Sequence, residues 1–450
     1  MPVSPARAAA FDILLRVDRE QAYVGELLHS ARFKNLSPAD HALAMELTMG
    51  VLRWRSLLDH ELARHSSQKL DRLDGEVLTA LRLAAYQLHF LSRVPARAAI
   101  FESVELVKKA RKRSAAPFVN AVLRKLAGEA SASPFSAEAL ARIHDAADVK
   151  ALADCSAHPE WLITRWVGRF GLEKARLICA SNQTVPATAV WLADSEASGE
   201  LSQAGIELAH GSLVSDARTV LAGDVTHTKA YRQSRVAIQD EGSQLVALLV
   251  GRGERILDCC AAPGGKTRVI AHRNPRSLVA ATELHPHRAR LLRAIAASPS
   301  VRVVAADARS LPFSSRFERI LADVPCSGTG TLAHHPEIKW RLTPADLHDL
   351  QHRQTAILQS ALAQLADGGR LVYSTCSLER EENEAVVEAA LAAAPEFFHV
   401  DCREVLADLR RSGDLCVPDI DSLLDGPYLR TIPGVHRCDG FFAAVLARRS

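Results

Sequence analysis

At about Arg235 the hydrophobic rhythm of this chain changes, and that change restricts the fold more than any other feature. Upstream, apolar residues recur at three- and four-residue intervals in AAFDILLRV, ALAMELTMGVLRW and VLTALRLAAYQLHFL. Residues so spaced share one face of a helix, so these stretches predict amphipathic helices. Downstream, RILDCC, LVAATE, VRVVAAD, RILADV, RLVYST and FFAAVLA read as strands. Helical stretches such as HRARLLRAIAA and LHDLQHRQTAILQSALAQL stand between them. Strands that alternate with helices predict a doubly wound α/β sheet.

The chain is therefore expected to be multidomain. Residues 1–130 read as an all-α bundle, with breakers at Ser37-Pro38, Ser66-Ser67, Asp74-Gly75 and Pro95. Residues 129–150 are small and polar (EASASPFSAEAL) and read as a linker or edge. Residues 150–235 mix a helical stretch, WLITRWVGRFGLEKARLICASN, with the short apolar run ATAVWLA, which suggests a small α/β connecting domain. Residues 236–450 carry the sheet.

Composition excludes several classes. No apolar run approaches the roughly 20 residues that cross a bilayer, and acids interrupt the apolar N-terminus, which argues against a signal peptide. A cytoplasmic location is the expectation. The nine cysteines form no CxxC pair, and no Cys/His cluster has ligand spacing, so neither a disulfide framework nor a metal site is expected. Charge is uneven: residues 1–128 carry a net +7 and the rest −4. A mild basic excess suits a module that contacts RNA, and its sharpest run is Lys108, Lys109, Arg111, Lys112 and Arg113.

The chemistry concentrates at strand ends. Ile256–Thr267, ILDCCAAPGGKT, runs from a strand through small residues and two glycines into a helix. Glycines there let a backbone approach a ligand closely. By itself the loop suits a cofactor or a structural turn equally well. A phosphate-binding P-loop would need a glycine at position 260, which is Cys260. The next three strands end in Glu283, Asp307 and Asp323. Acids at successive strand ends project toward the crevice at the sheet's carboxyl edge, where they suit a cofactor that carries a nucleoside. Cys326 in DVPCSGTG and Cys376 in YSTCSLEREENE share that edge. A thiolate is a strong nucleophile once its surroundings lower its pKa, and Lys266, Lys339 and His335 are candidates to do so. A protease triad would need a His paired with the nucleophile, and none is placed beside Cys376. These residues alone do not rank the two cysteines.

The motifs CAAPGGKT, DVPCSGTGTL, HPEIKW and YSTCSLEREENE resemble those of RNA 5-methylcytosine methyltransferases of the RsmB/Sun and Nop type. AIQDEGSQL and TIPGVHRCDGFFAAVLARR match as well, and SAHPEWLITRW resembles the family's connecting domain. In the N-terminal region, AYQLHFL, VELVKKA and FVNAVLRKL resemble the NusB RNA-binding module. The resemblance implies a NusB-like bundle, a connecting domain and a Rossmann-like class I methyltransferase. The implied reaction transfers a methyl group from S-adenosylmethionine to cytosine C5 in RNA, most simply small-subunit rRNA, by a monomer. It implies Cys376 as the nucleophile and Cys326 as the residue that helps release the product. A protonated Asp323 would stabilise charge at N3. Cys260, Ala261, Ala262, Pro263, Gly264, Gly265 and Lys266 would line the methionine part of the cofactor. Glu283 would hold the ribose, Asp307 would lie near the adenine, and Asp323 would complete the pocket. This chain has Glu283 where the family usually has aspartate, and Ala333-His334 where the family often has arginine before HP.

Overall fold

The computed structural model describes residues 3–20, 22–28, 30–33, 35–129 and 135–449. They form two compact units: Met1–Val185 with Leu332–Arg341, and Pro186–Thr331 with Leu342–Ser450. Among the described residues no helix is long and apolar enough to cross a membrane.

The first unit is helical. Pro5–Glu20, Pro38–His65, Gly75–Phe90, Ala96–Lys109 and Ala116–Glu129 pack around a core that includes Ile13, Leu47, Leu58, Leu81, Leu83 and Leu123. Ser37 starts the longest helix by accepting a hydrogen bond from Asp40 N, with Pro38 in the first turn. Gly50 in that helix makes room for a ring: a Cβ there would stand 2.0 Å from Tyr86 Cζ. The expected linker is partly helical. Phe135–Asp145 form a helix whose Ile143 is fully buried, and Asp148 caps the next helix, Val149–Ser156. The linker residues 130–134 lie outside the described residues. Helix Glu160–Gln183 is interrupted at Gly171, whose φ is +78°.

Leu332–Arg341, which the sequence groups with the sheet, packs with these helices instead. Trp340 Nε1 donates to Leu52 O at 2.6 Å, and Arg53 Nη2 donates to Ala333 O at 2.9 Å. Apolar Trp340 joins the helical core, which supplies the reason.

The second unit holds two sheets. Strands β1 (Thr188–Leu192), β2 (Glu207–His210), β3 (Ala217–Ala222) and β4 (Val236–Ile238) form an antiparallel sheet in the order β2-β3-β1-β4. Glu241, buried at the start of helix Glu241–Leu249, ties this sheet down by accepting from the backbone N–H of Ser212, Leu213 and Val214. The main sheet comprises β5 (Arg255–Asp258), β6 (Leu278–Glu283), β7 (Val301–Ala305), β8 (Phe317–Asp323), β9 (Leu365–Thr375), β10 (Phe397–Val400), β11 (Leu424–Asp425), β12 (Tyr428–Arg430) and β13 (Phe442–Arg448). Its order is β11-β12-β13-β9-β8-β5-β6-β7, with β10 on β13. β5 to β9 run parallel to one another, and β13 pairs antiparallel with β9. The doubly wound reading holds, and the six expected strands are β5 to β9 and β13. The order reverses between β5 and β8, which opens the crevice where such sheets bind ligands.

Candidate active site

The glycine loop begins where β5 ends at Asp258. Its backbone is pinned to both neighbouring strands: Cys259 N donates to Leu321 O, and Ala261 N to Thr282 O, each at 2.9 Å. Thr267 Oγ1 donates to Asp258 Oδ2 at 2.7 Å, so the following helix, Gly265–Arg273, is bonded back to the strand. Gly264 has φ +119°, and a Cβ there would stand 3.0 Å from Leu292 Cδ1. A Cβ on Gly265 would stand 3.4 Å from Gln239 Cδ. The backbone at the helix start is thus kept bare.

The strand-end acids converge on this loop. Burial, followed by the charges of Asp258, Asp323, Glu283 and Asp307, holds the Cys260 thiol well above its ordinary pKa. Glu283 is buried, with Oε1 accepting from His285 N at 2.9 Å. Asp307 is bound by its neighbour Arg309, whose Nη2 reaches Oδ2 at 2.7 Å, and this hydrogen bond lowers its pKa. Asp323 sits between Lys266 Nζ, 2.7 Å from Oδ2, and Ser374 Oγ, which donates to Oδ1 at 2.7 Å. Burial opposes the charge on Lys266, but Asp323 and then Cys376 more than offset it, so its pKa is raised. The ammonium also lies 5.0 Å from the centroid of the Phe441 ring.

The structure brings the two cysteines together. Cys326 Sγ and Cys376 Sγ are 3.3 Å apart. The hydrogen bond to Cys376, then burial, then the charges of Cys376 and Glu382 hold Cys326 well above its ordinary pKa. Lys266, one of the three cations proposed to favour a thiolate, belongs to the same unit as the thiols. Lys339 belongs to the first unit, where it is buried and donates to Arg53 O at 2.8 Å and Ala157 O at 2.9 Å. Burial pushes it well below its ordinary pKa. His335, in the same segment, stands 3.8 Å from Glu337 Oε1.

Sequence reasoning missed residues around the thiols. Glu382 accepts from Ser327 N at 2.7 Å and Gln354 Nε2 at 2.9 Å, and from the hydroxyls of Ser327 and Ser377. Asn383 Nδ2 donates to Ser377 O at 2.9 Å. The signal was present in the acidic run LEREENE directly after a strand, but only the fold shows that Glu382 and Asn383 are fully buried. Asp439 also belongs here: its N–H donates to Asp240 Oδ2 at 3.0 Å. Burial, then Asp240, then Cys376 raise its carboxyl well above the ordinary range. Gly440 N donates to Gly330 O, and Gly330 N to Cys376 O.

These residues fit the cofactor that the resemblance implies. The crevice offers a bare helix start, a buried acid on β6 for a diol, and Gln239 Oε1, a buried acceptor with no hydrogen-bond partner among the described residues. Among the described residues, no group of three or more His, Cys, Asp or Glu side chains is arranged to hold a metal ion.

Comparison with known proteins identifies the family. Residues 4–128 match the NusB family, and residues 245–447 match the family described as 16S rRNA methyltransferase RsmB/F. The chain is 34% identical to the probable ribosomal RNA small subunit methyltransferase B of Bacillus subtilis (strain 168), over 88% of this chain and 90% of that protein. It is 31% identical to the ribosomal RNA small subunit methyltransferase B of Vibrio cholerae serotype O1, over 98% of this chain and 97% of that one. The crystal structure of PH0851 shares the fold, with a TM-score of 0.79 at 21% identity and full coverage of both chains. This chain belongs to the RsmB/F family of rRNA methyltransferases, whose methyl donor is S-adenosylmethionine.

Proposed function

We propose that this enzyme methylates carbon 5 of a cytosine in small-subunit ribosomal RNA through a covalent bond between Cys376 and C6. The observation that carries the reading is the pair of thiols, 3.3 Å apart, beside the Lys266–Asp323 ion pair. Cytosine C5 is a poor nucleophile. Addition of the Cys376 thiolate to C6 pushes electrons into the ring, and C5 then attacks the methyl group. The Lys266–Asp323 pair supplies the hydrogen bonding that stabilises the ring during addition. Removal of the C5 proton by a base returns an electron pair to the ring, the C6–S bond breaks, and Cys376 leaves as thiolate. Cys326, its sulfur 3.3 Å from that of Cys376, assists that release. S-adenosylmethionine supplies an electrophilic methyl group when bound. The loop from Cys260 to Lys266 would line its methionine part, Glu283 would take the ribose, Asp307 would lie near the adenine, and Asp323 would close the pocket.

The relatives named for the small ribosomal subunit support the choice of RNA. In this reading residues 1–130 recruit RNA, residues 150–235 connect, and residues 236–450 perform the chemistry. Lys108 and Lys112 are already paired with Glu105 and Asp74, so the exposed Lys109, Arg111 and Arg113 are the better phosphate contacts. The target base must leave its stack to reach a thiol at a sheet edge.

The test is transfer of labelled methyl groups to 16S rRNA, free and in small subunits, from cells lacking the gene, followed by bisulfite mapping. Label at one cytosine is expected. Label on another base, or none despite cofactor binding, overturns the proposal; the latter outcome favours a non-catalytic role in assembly.

A further inference from the structure

Cys326 and Cys376 hang from different strands, and the sheet does not set their spacing. The β8–β9 ladder ends at the Asp323–Ser374 pair, and one more backbone bond follows, from Val324 N to Ser374 O. Both thiols lie beyond it, on separate loops. Farther along, Gly330 N donates to Cys376 O and Leu378 N to Thr329 Oγ1, each at 2.9 Å; next to the thiols the loops are joined by Glu382, whose side chain is fully buried. A buried carboxylate is costly unless donors surround it. Here Ser327, directly after Cys326, donates from both its N–H and its hydroxyl, and Ser377, directly after Cys376, donates from its hydroxyl. Gln354 Nε2 donates to the same carboxylate and to Pro325 O, directly before Cys326, at 2.9 Å each. Each catalytic thiol is therefore within one residue of a group tied to one side chain.

We propose that Glu382 is a positioning residue for methyl transfer: by holding Ser327 and Ser377 together, it keeps Cys326 against Cys376 for release of the methylated base. The inference rests on the cysteine roles given above. It concerns spacing; the charge of Glu382 acts on Cys326 only after the hydrogen bond to Cys376, burial and the charge of Cys376. A glutamine at 382 can accept from Ser327 N and Gln354 with its oxygen and donate to both serine hydroxyls with its amide, so Glu382→Gln should preserve the clamp.

Two assays read it. Phenylarsine oxide bonds both thiols only when they are adjacent, and its capture by RNA-free protein reports spacing without turnover. Release of methylated RNA from the covalent adduct reports function. Glu382→Ala should slow both by about tenfold or more, as small misplacements of reacting groups do. Glu382→Gln should behave as wild type. Wild-type capture and release in folded Glu382→Ala overturns the proposal, as does equal loss in Glu382→Gln. If Glu382→Ala does not fold, Ser327→Ala is read instead. A decrease in both assays supports the clamp, and wild-type values overturn it. Cys326→Ala separates the two claims: if it traps no adduct, the cysteine roles fail, while arsenical capture still decides the positioning.

Discussion

Lys266 Nζ stands 2.7 Å from Asp323 Oδ2, and this ion pair links the glycine loop to the end of β8. Both groups are largely buried, so the ammonium balances a carboxylate that would otherwise share the crevice with the thiols. Lys266→Met removes that balance and a positive charge that interacts with Cys376. We expect single-turnover methyl transfer to fall by about 10²–10³-fold at saturating cofactor, as for loss of a preorganised electrostatic group. A loss under fivefold would show that the pair is not part of the chemistry.

The two thiols should respond differently to deletion. Cys376→Ala is expected to abolish turnover and form no covalent complex, because the nucleophile is gone. Cys326→Ala should transfer the methyl group and then stall, leaving a protein–RNA adduct visible on a denaturing gel. The opposite pattern would exchange their roles.

Asp258 makes the fold pH-sensitive. Burial, with a smaller contribution from Asp323, raises its pKa from 3.8 to about 7, against the hydrogen bond from Thr267. A pKa higher in the folded than in the unfolded state means that folding takes up a proton between those values. Stability from this group is complete below about pH 4 and is lost as pH rises to about 7. The difference is on the order of a few kcal/mol, at about 1.4 kcal/mol per pKa unit. Asp258→Asn keeps an acceptor for Thr267 and removes the buried charge. Its melting temperature should exceed that of wild type at pH 8, with the gap closing toward pH 4. A gap independent of pH would refute the account.

Gly330 and Gly440 pack backbone to backbone. A Cβ on Gly330 would stand 2.2 Å from Gly440 O, and no rotamer relieves a clash with backbone. Gly330→Ala should cost about 3 kcal/mol, at the upper end of overpacking effects, measured by urea unfolding. It should also break the Gly440 N to Gly330 O bond that keeps Asp439 beside the thiol loops.

Much of the fold was legible because period is local. β5 to β9 and β13 each bury a short apolar run, and the helices between them repeat every three or four residues. β10 to β12 span only two to four residues, too few to show a period, and Phe135–Asp145 was masked by its small polar composition. The HPEIKW segment was misplaced because chain order says nothing about which core a tryptophan enters.

From its sequence alone this chain determined the change from helical bundle to doubly wound sheet, the glycine loop, and the acids and cysteines at strand ends. Those follow from side-chain alternation and from where strands stop. Tertiary structure decided which groups meet. It placed Lys266 with Asp323, sent Lys339 to the helical unit, and gathered Ser327, Ser377 and Gln354 on Glu382. A hydrogen bond such as that from Ser327 to Glu382, 55 residues apart, depends on strand order and crossover, and neither is written in any local run of residues.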